Sequence, residues 1–389
     1  MKVGYHTAFS DFSPAAWNAL AGSDNPFLRH GVLLAFEAHG CVGPRLGWEP
    51  LHVGAYNDAG DLLGAMPMYV KYNYYGEFVF DWAWDEAYQR AGLNYYPKLV
   101  VAVPYTPATG ARLLCRPDAD RPTVERALIA AAMRLTENGQ HSGVHWLFPN
   151  DGDLETLRDA GLIARMGVNF HWHNQDYADF DAFLASFSAD KRKKVKRERR
   201  RVGEQGIQMR RAAGAAISDA DLATFHRFYV DTFDKHHGLA TLTLDFFSAA
   251  RDELGDHMIL VSAWHAGHMV AGALFFRDHA TLFGRYWGCE REFHSLHFET
   301  CYYQGHEIAI EHGLTRFEPG VQGEHKVPRG FLPTRTWSAH WIADPRFRPA
   351  LADYCRREQL VMEDYLRSVY AHSPYRHDST PPSQRIDIV

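Results

Sequence analysis

Apolar and polar residues alternate in two stretches that match one another. "LHVGAYNDAGDLLGAMPMYVK" (51–71) predicts two strands around a turn at Asn57-Asp58-Ala59-Gly60. "MILVSAWHAGHMVAGALFFRD" (258–278) predicts two around a turn at His265-Ala266-Gly267. Laid on one another, Ala55-Tyr56 falls on Ala263-Trp264. With one residue dropped from the turn, Gly60 falls on Gly267 and Gly64-Ala65 on Gly272-Ala273. An aromatic strand is expected after each hairpin, "GEFVFDWAW" (76–84) and "TLFGRYWGC" (281–289). A helix carrying a double tyrosine is expected next, Tyr95-Tyr96 and Tyr302-Tyr303. The order strand, turn, strand, strand, helix therefore occurs twice, which predicts an internal duplication of one α/β unit.

The remaining periodicity closes each copy. In the first, "PTVERALIAAAMRLTENGQ" predicts a helix with Pro122 near its start and Gly139 at its end. A strand "GVHWLF", a short helix "DLETLRDAG" and a strand "VNFHWHN" follow. In the second, "HFETCYYQGHEIAIEHG" predicts a helix ended by Gly313, "TRFEPG" a strand, and "RFRPALADYCRREQLVMEDYLRSVY" a long helix. Helices alternating with antiparallel hairpins predict an α/β (α+β) fold of mixed, mostly antiparallel sheets flanked by helices. The expected division is a first domain at 1–175, a connecting segment at 176–206, a second domain at 207–372 and a Pro/Ser-rich frayed tail at 373–389.

The connecting segment breaks the pattern. Nine of the eleven residues from Lys191 to Arg201 are basic, and only Val195 among them is apolar, with Val202 seven residues later. Ser188 is a good N-cap, Asp190 suits the first turn, and Gly203 and Gly206 make a stop. Such a helix lies on the protein by one thin edge and leaves most of its charge in solvent or on a partner.

Charge sharpens this. The chain of 389 residues carries a net −6, the basic run contributes +8, and the remainder is therefore −14. General attraction to nucleic acid or anionic membrane is not expected, so any anion binding is local. Uncompensated like charges at i,i+4 cost helix stability, which points to an anionic partner beside the plain reading of a solvated helix. That partner would be a nucleic acid, the phosphate of a precursor, or the inner face of a membrane. Arg192, Lys193, Arg197 and Arg200 are the candidate anion ligands. The five cysteines form no CxxC pair, the N-terminus lacks the apolar core of a signal peptide, and no stretch has the length of a membrane span. A cytoplasmic protein without a disulfide framework is expected.

Candidate chemistry gathers in the second copy. The loop "GVQGEHKVPRG" (320–330) follows a strand and holds Glu324, His325, Lys326 and Arg329. Glu324 or His325 would serve as a base, and Lys326 and Arg329 suit an anionic substrate; the same composition also describes a solvated loop. Strand alternation puts Arg285 and Trp287 on one face, and helix spacing makes Glu299 and Tyr303 neighbours. Arg285 with Glu299 is either a core ion pair or part of an acceptor slot. The pairs His171/His173, His265/His268 and His294/His297 lack a joining carboxylate pattern, so no metal is expected. A Cys289 or Cys301 nucleophile beside His294 or His297 is conceivable, but buried, inert cysteine is the better expectation.

A resemblance joins these pieces. "FHWHNQDYADFDAFLASFSADKRKKVKRERRRVGEQGI" and "FEPGVQGEHKVPRGFLPTRTWSAHWI" resemble a family of bacterial N-acyltransferases related to the Fem-type peptidoglycan aminoacyltransferases, within the GNAT superfamily. The likeness runs from "NPFLRHGVLLAFE" (25–37) to the last helix. Its most specific pieces are Arg192-Lys193, Glu198-Arg199 and the block Gln322-Gly323-Glu324-His325-Lys326. It implies tandem GNAT-like domains and acyl transfer to an amine, with backbone N–H groups at Ala273 and Leu274 on a splayed strand receiving the oxyanion. The turn Q/R-x-x-G-x-G/A that holds coenzyme A pyrophosphate in GNAT enzymes has no counterpart in "YWGCEREFHSLHFE" (286–299) or in "DWAWDEAYQRAGLNYY". No cofactor is assigned: the implied donor is aminoacyl-tRNA or acyl-coenzyme A, and the implied acceptor is a small-molecule or peptide amine. The alternative outside enzymes is a ligand- or RNA-binding protein on the same scaffold.

Overall fold

The computed structural model describes residues 1–22, 25–321 and 323–376. The chain divides into two compact units. Of the described residues, one holds Met1–Gly167 with Arg335–Glu363, and the other Val168–Thr334 with Asp364–Arg376. The segment Arg335–Glu363 thus returns to the first unit, and the basic helix belongs to the second. Among the described residues no helix is long and apolar enough to cross a membrane.

In chain order the first unit begins with β1 (Lys2–His6), α1 (Pro14–Ala21), α2 (His30–Ala38), β2 (Trp48–Pro50), β3 (His52–Tyr56), β4 (Leu62–Met66) and β5 (Met68–Lys71). It continues with α3 (Trp82–Arg90), β6 (Lys98–Val101), β7 (Leu114–Cys115), α4 (Arg121–Arg134), β8 (Gly143–Leu147), α5 (Asp151–Asp159) and the first part of β9 (Ile163–His173). The predicted hairpin is β3–β4, with Val53 opposite Met66 and a bulge at Ala55/Tyr56. Pro67 splits the expected second strand, because proline donates no ladder hydrogen bond. β4 stays in a four-stranded sheet of order β1-β3-β4-β7, and β5 pairs β2 and β6 in another, where β6 also lies parallel to β8. A core of Val53, Met66, Leu99, Leu128, Trp146 and Leu157 fills the space under α4 and α5.

Two expectations in this unit are corrected. Residues 76–81 form no strand, and Trp82 onward is helical. Tyr95-Tyr96 lies in an irregular segment rather than a helix. The aromatic alternation at 76–84 is genuine, but Glu77 and Asp81 turn inward to Lys98, so no ladder forms.

The second unit holds α6 (Phe180–Ala185), α7 (Ala189–Glu204), β10 (Gln208–Ala213), α8 (Asp219–Lys235), α9 (Leu244–Leu254), β11 (Met258–His265), β12 (His268–Arg277) and β13 (Thr281–Cys289). α10 (Leu296–Phe298) passes through a π turn at Glu299–Tyr303 into α11 (Gln304–Glu311), and β14 (Arg316–Glu318) and a 3-10 helix at Glu324–Arg329 follow. β15 (Leu332–Ile342) and α12 (Arg348–Tyr370) run from one unit into the other along the chain. β10-β11-β12-β13 are antiparallel neighbours, β14 lies parallel to β13, and β9 closes antiparallel on β14. β11 and β12 are buried almost throughout, as strands covered on both faces are. Their turn uses Ala266 (φ 49°) and Gly267 (φ 82°), two successive left-handed residues that match the strand twist. A Cβ on Gly272 would stand 3.0 Å from the Phe225 ring of α8, so this glycine does permit close helix–strand packing.

Each unit contains a strand, two helices and a hairpin in that order (β1, α1, α2, β3–β4, with the short β2 intervening, and β10, α8, α9, β11–β12), and the hairpin's first strand pairs back on the opening one. The hairpin bulges fall at Ala55/Tyr56 and Ala263/Trp264, the positions that the sequences superpose.

Candidate functional site

The site grows from the buried edge of α7. Ser188 stands at the N-cap without a side-chain hydrogen bond, Asp190 occupies the first turn, and Gly206 (φ 74°) follows the C-terminus. Val195 and Val202 are buried as expected, and so is Glu198 between them, the single acid of the run. Burying a carboxylate requires compensation. Arg329 supplies it, donating from Nη2 to Glu198 Oε1 at 2.8 Å, while the Tyr303 hydroxyl donates to Oε2. Both charged groups are almost fully buried.

Arg199, the next residue, also turns inward. It forks onto Glu299 at 3.0 and 2.9 Å and reaches Glu307 at 2.6 Å. Gln304 donates to Glu299 Oε1 at 2.7 Å, and Arg211 joins through Gln304, Glu307 and Glu311. Glu299 therefore pairs with Arg199.

The loop after β14 faces this helix edge within the same unit. Gly320, Gly323 and Gly330 take left-handed φ values (89°, 107°, 98°) and bracket the 3-10 helix. Arg329 donates to the His325 carbonyl at 2.5 Å and stacks 3.3 Å above the Phe298 ring. The π turn at 299–303 brings the adjacent Tyr302 and Tyr303 both into the buried region, a usual signature of functional helices. Tyr302 bonds His325 Nε2 at 2.8 Å, and the His297 ring packs on Tyr302 at 5.3 Å and on Trp287 at 5.2 Å.

Electrostatics keep the group near neutral. Burial pushes Lys326 down to about 7, and its ammonium donates to the Gly320 carbonyl at 2.6 Å. Burial, then the Lys326 and Arg329 charges, lower His325 below the ordinary histidine value. Burial with His325 beside it lowers His297 to about 4. Burial raises Tyr302, Tyr303 and the Cys301 thiol, so all three hold their protons. Cys289 is raised as well, and neither thiol is activated.

The structure thus brings His325, Lys326, Arg329 and Tyr303 together, with Trp287 joined through His297. Glu324 is exposed and accepts from Tyr365 at 3.0 Å. Ala273 and Leu274 are buried in β12, and the β12–β13 register slips just after Leu274. Arg285 is the extra residue there, so the expected alternation with Trp287 is interrupted by a bulge. On α7, Lys193, Lys194, Arg197 and Arg200 are exposed; Arg200 pairs Glu204 and Lys196 pairs Asp181, while Arg192 donates weakly to the Phe187 carbonyl at 3.4 Å. Gln322 lies outside the described residues.

Sequence reasoning left Glu198, Tyr302, His297 and Phe298 out of the candidate acyl-transfer site, although Glu198 stood in the family-like block and His297 was weighed beside a cysteine nucleophile. A signal existed for Glu198: a lone acid in a basic run, at i+3 from Val195, sits on the buried edge. Among the described residues no three metal-ligating side chains converge. His171 and His173 are lowered by burial to about 3 and about 4.

The sequence that builds this geometry also matches a family profile. The profile of the FemAB-like family, described as peptidoglycan biosynthesis/recognition, matches residues 8–377. The chain belongs to this family. Solved structures share the fold of this FemAB-like chain at low identity. The L-PGS structure from Bacillus licheniformis is 12% identical with a TM-score of 0.54, covering 88% of this chain and 96% of that one. FemX is 13% identical with a TM-score of 0.52, covering 90% and 99%. The C-terminal domain of a putative lysylphosphatidylglycerol synthetase from Agrobacterium fabrum is 10% identical with a TM-score of 0.51, covering 89% and 95%. No curated protein sequence matches the FemAB-like chain.

Proposed function

We propose that this chain is an N-acyltransferase that moves an acyl or aminoacyl group onto the amine of a small or cell-envelope-related acceptor. One observation carries the reading. His325 is exposed, held toward its neutral form, and fixed through Nε2 by Tyr302 beside two cationic side chains. With Nε2–H donated to the Tyr302 oxygen, Nδ1 keeps a lone pair for the acceptor.

In that arrangement the amine nitrogen attacks the acyl carbon, a C–N bond forms, and the carbonyl electron pair moves onto oxygen. His325 Nδ1 takes the amine proton. The C–O bond of an aminoacyl ester, or the C–S bond of a thioester, then breaks, and the leaving atom receives that proton. Backbone N–H groups where the ladder opens after Leu274, next to Ala273, are suited to the oxyanion. Lys326 supplies positive charge for an anionic substrate when protonated, Arg329 is instead committed to Glu198 and positions His325 through its carbonyl, and Arg285 and Trp287 line the acceptor side. Glu299 and Tyr303 act as positioning residues through Arg199 and Glu198. Glu324 is the second candidate base.

The solvent-facing cations Lys193, Arg197 and Arg200, with Arg192, suit the phosphates of a tRNA donor. Acyl-coenzyme A is the alternative donor. The repeated strand, two-helix and hairpin order of the two units supports tandem GNAT-like domains. The test is transfer of labelled acyl groups to amine acceptors from charged tRNA and from acetyl-coenzyme A. His325→Ala should lose at least about a hundredfold in kcat/KM, the lower end of a general base's contribution. Full activity in both His325→Ala and Glu324→Ala overturns the site assignment.

A further inference from the structure

In the first unit the loop 72–82, "YNYYGEFVFDW", is built inside out. Its only two charged residues, Glu77 and Asp81, are buried. Both accept from the fully buried Lys98, Glu77 at 2.8 Å, and Tyr95 donates to Asp81 at 2.6 Å. Lys71 and the Trp48 indole both donate to the Tyr75 carbonyl, at 3.0 and 2.9 Å, and tie down the middle of the loop.

The aromatic residues go the other way. Tyr72 (47% exposed), Tyr74 (54%), Phe78 (36%), Phe80 (43%) and Trp82 (56%) face solvent. These are half of the ten large apolar side chains exposed among the described residues. Tyr74, Phe80 and Trp82 form one patch, with ring centres 4.9 Å apart for Phe80–Trp82 and 5.9 Å for Tyr74–Trp82. Phe78 holds φ at 59°, a costly conformation for a bulky residue that persists only where the surroundings enforce it. Carboxylates have been taken out of water and aromatic rings left in it, the reverse of ordinary burial.

We propose that loop 72–82 is a membrane anchor that inserts its rings at the headgroup–acyl boundary of a phospholipid bilayer. The occupant follows from the chemistry of the patch. Tyr and Trp favour that boundary because one end is apolar and the other polar, and Phe78 and Phe80 supply the deeper apolar surface. Folding both carboxylates onto Lys98 removes the loop's own charges from the inserting face. The buried ion cluster fixes the loop, so little ordering entropy opposes binding. A second attraction is separable: Lys193, Lys194 and Arg197 of α7 have no acidic partner among the described residues and would respond only to anionic lipid. The anchor does not depend on the acyl-transfer reading.

The test is flotation of the full chain with vesicles of phosphatidylcholine alone and of phosphatidylcholine mixed with phosphatidylglycerol. The chain is expected to bind both, and lipids brominated on the acyl chain should quench part of its tryptophan fluorescence. The variant Phe78→Ser/Phe80→Ser/Trp82→Ser changes only exposed side chains and should lower partitioning at least tenfold on both vesicles. Lys193→Gln/Lys194→Gln/Arg197→Gln should remove only the increment caused by phosphatidylglycerol. Three results overturn the proposal: no binding to phosphatidylcholine vesicles, equal binding by the serine variant, or concentration-dependent self-association that the serine variant abolishes while vesicle binding stays absent.

Discussion

Removing the charge of Glu198 tests whether α7 is anchored by its one acid. In Glu198→Gln the side chain keeps its shape, but Arg329 is left buried without a counter-ion. A guanidinium cannot shed its proton, so the cost cannot be escaped by titration. Breaking a buried pair from one side costs about 3–5 kcal/mol. Arg329 keeps the His325 carbonyl and the Phe298 face, and a desolvated cation–π contact is worth about 2 kcal/mol. That contact exists in both forms and limits collapse, so the lower end, about 3 kcal/mol, is expected. Arg329→Met leaves a carboxylate that can protonate and accept from Tyr303, and should cost less. In the double variant neither charge is left unpaired, and recovery of at least about 1.5 kcal/mol relative to Glu198→Gln is expected. Hydrogen exchange resolved over residues 189–204 and 296–331 is the suitable assay, because two compact units need not unfold together. A loss below about 0.5 kcal/mol in Glu198→Gln, at the level of ordinary surface substitutions, would refute the argument. So would a double variant no more stable than Glu198→Gln.

Acid should destabilise the second unit early. His171 and His306 are held neutral by burial, each with a value of about 3 against 6.5 for a free histidine. The unfolded chain therefore binds their protons first, and stability falls as pH drops from about 6.5 toward 3, by about 2 kcal/mol per group at pH 5. His306→Phe, set among Trp172, Phe183 and Phe331, should move the acid midpoint of exchange protection downward, and an unchanged midpoint contradicts this. In Gly288→Ala the new Cβ would stand 2.3 Å from the Phe228 carbonyl oxygen of α8, a backbone clash expected to cost ~1–3 kcal/mol in a denaturant melt. Activity should rise with pH through a value below 6.5 if neutral His325 is the base; Tyr302→Phe should shift that inflection, and a flat profile would exclude His325.

Much of the fold was legible because its signals are local. Both hairpins, the α7 helix with Asp190 and Gly206, and the helix ended by Gly313 follow from period, caps and turn residues. What failed depends on partners far along the chain. The alternation at 76–84 has the period of a strand, yet Lys98 draws the acidic set inward and the aromatic set goes out, which no local pattern encodes. The double tyrosines looked equivalent; one precedes Pro97 in an irregular segment and the other occupies a π turn. In the candidate site the residue types in 320–330 were evident and Glu198 was readable as the lone acid on the buried edge, but its partner Arg329 and the Tyr302–His325 contact appear only in the fold.

The chain leaves the first unit at Gly167 and comes back to it from Arg335 to Glu363. The returning stretch supplies Ser338–Ile342, the strand that pairs β8 at Gly143–Leu147. A fragment ending near residue 167 would expose that edge of β8 to any strand able to pair with it, so its expected fate is aggregation rather than independent folding. The two halves are thus not interchangeable cassettes. A recombination that exchanged one of them would need crossovers at several separate points.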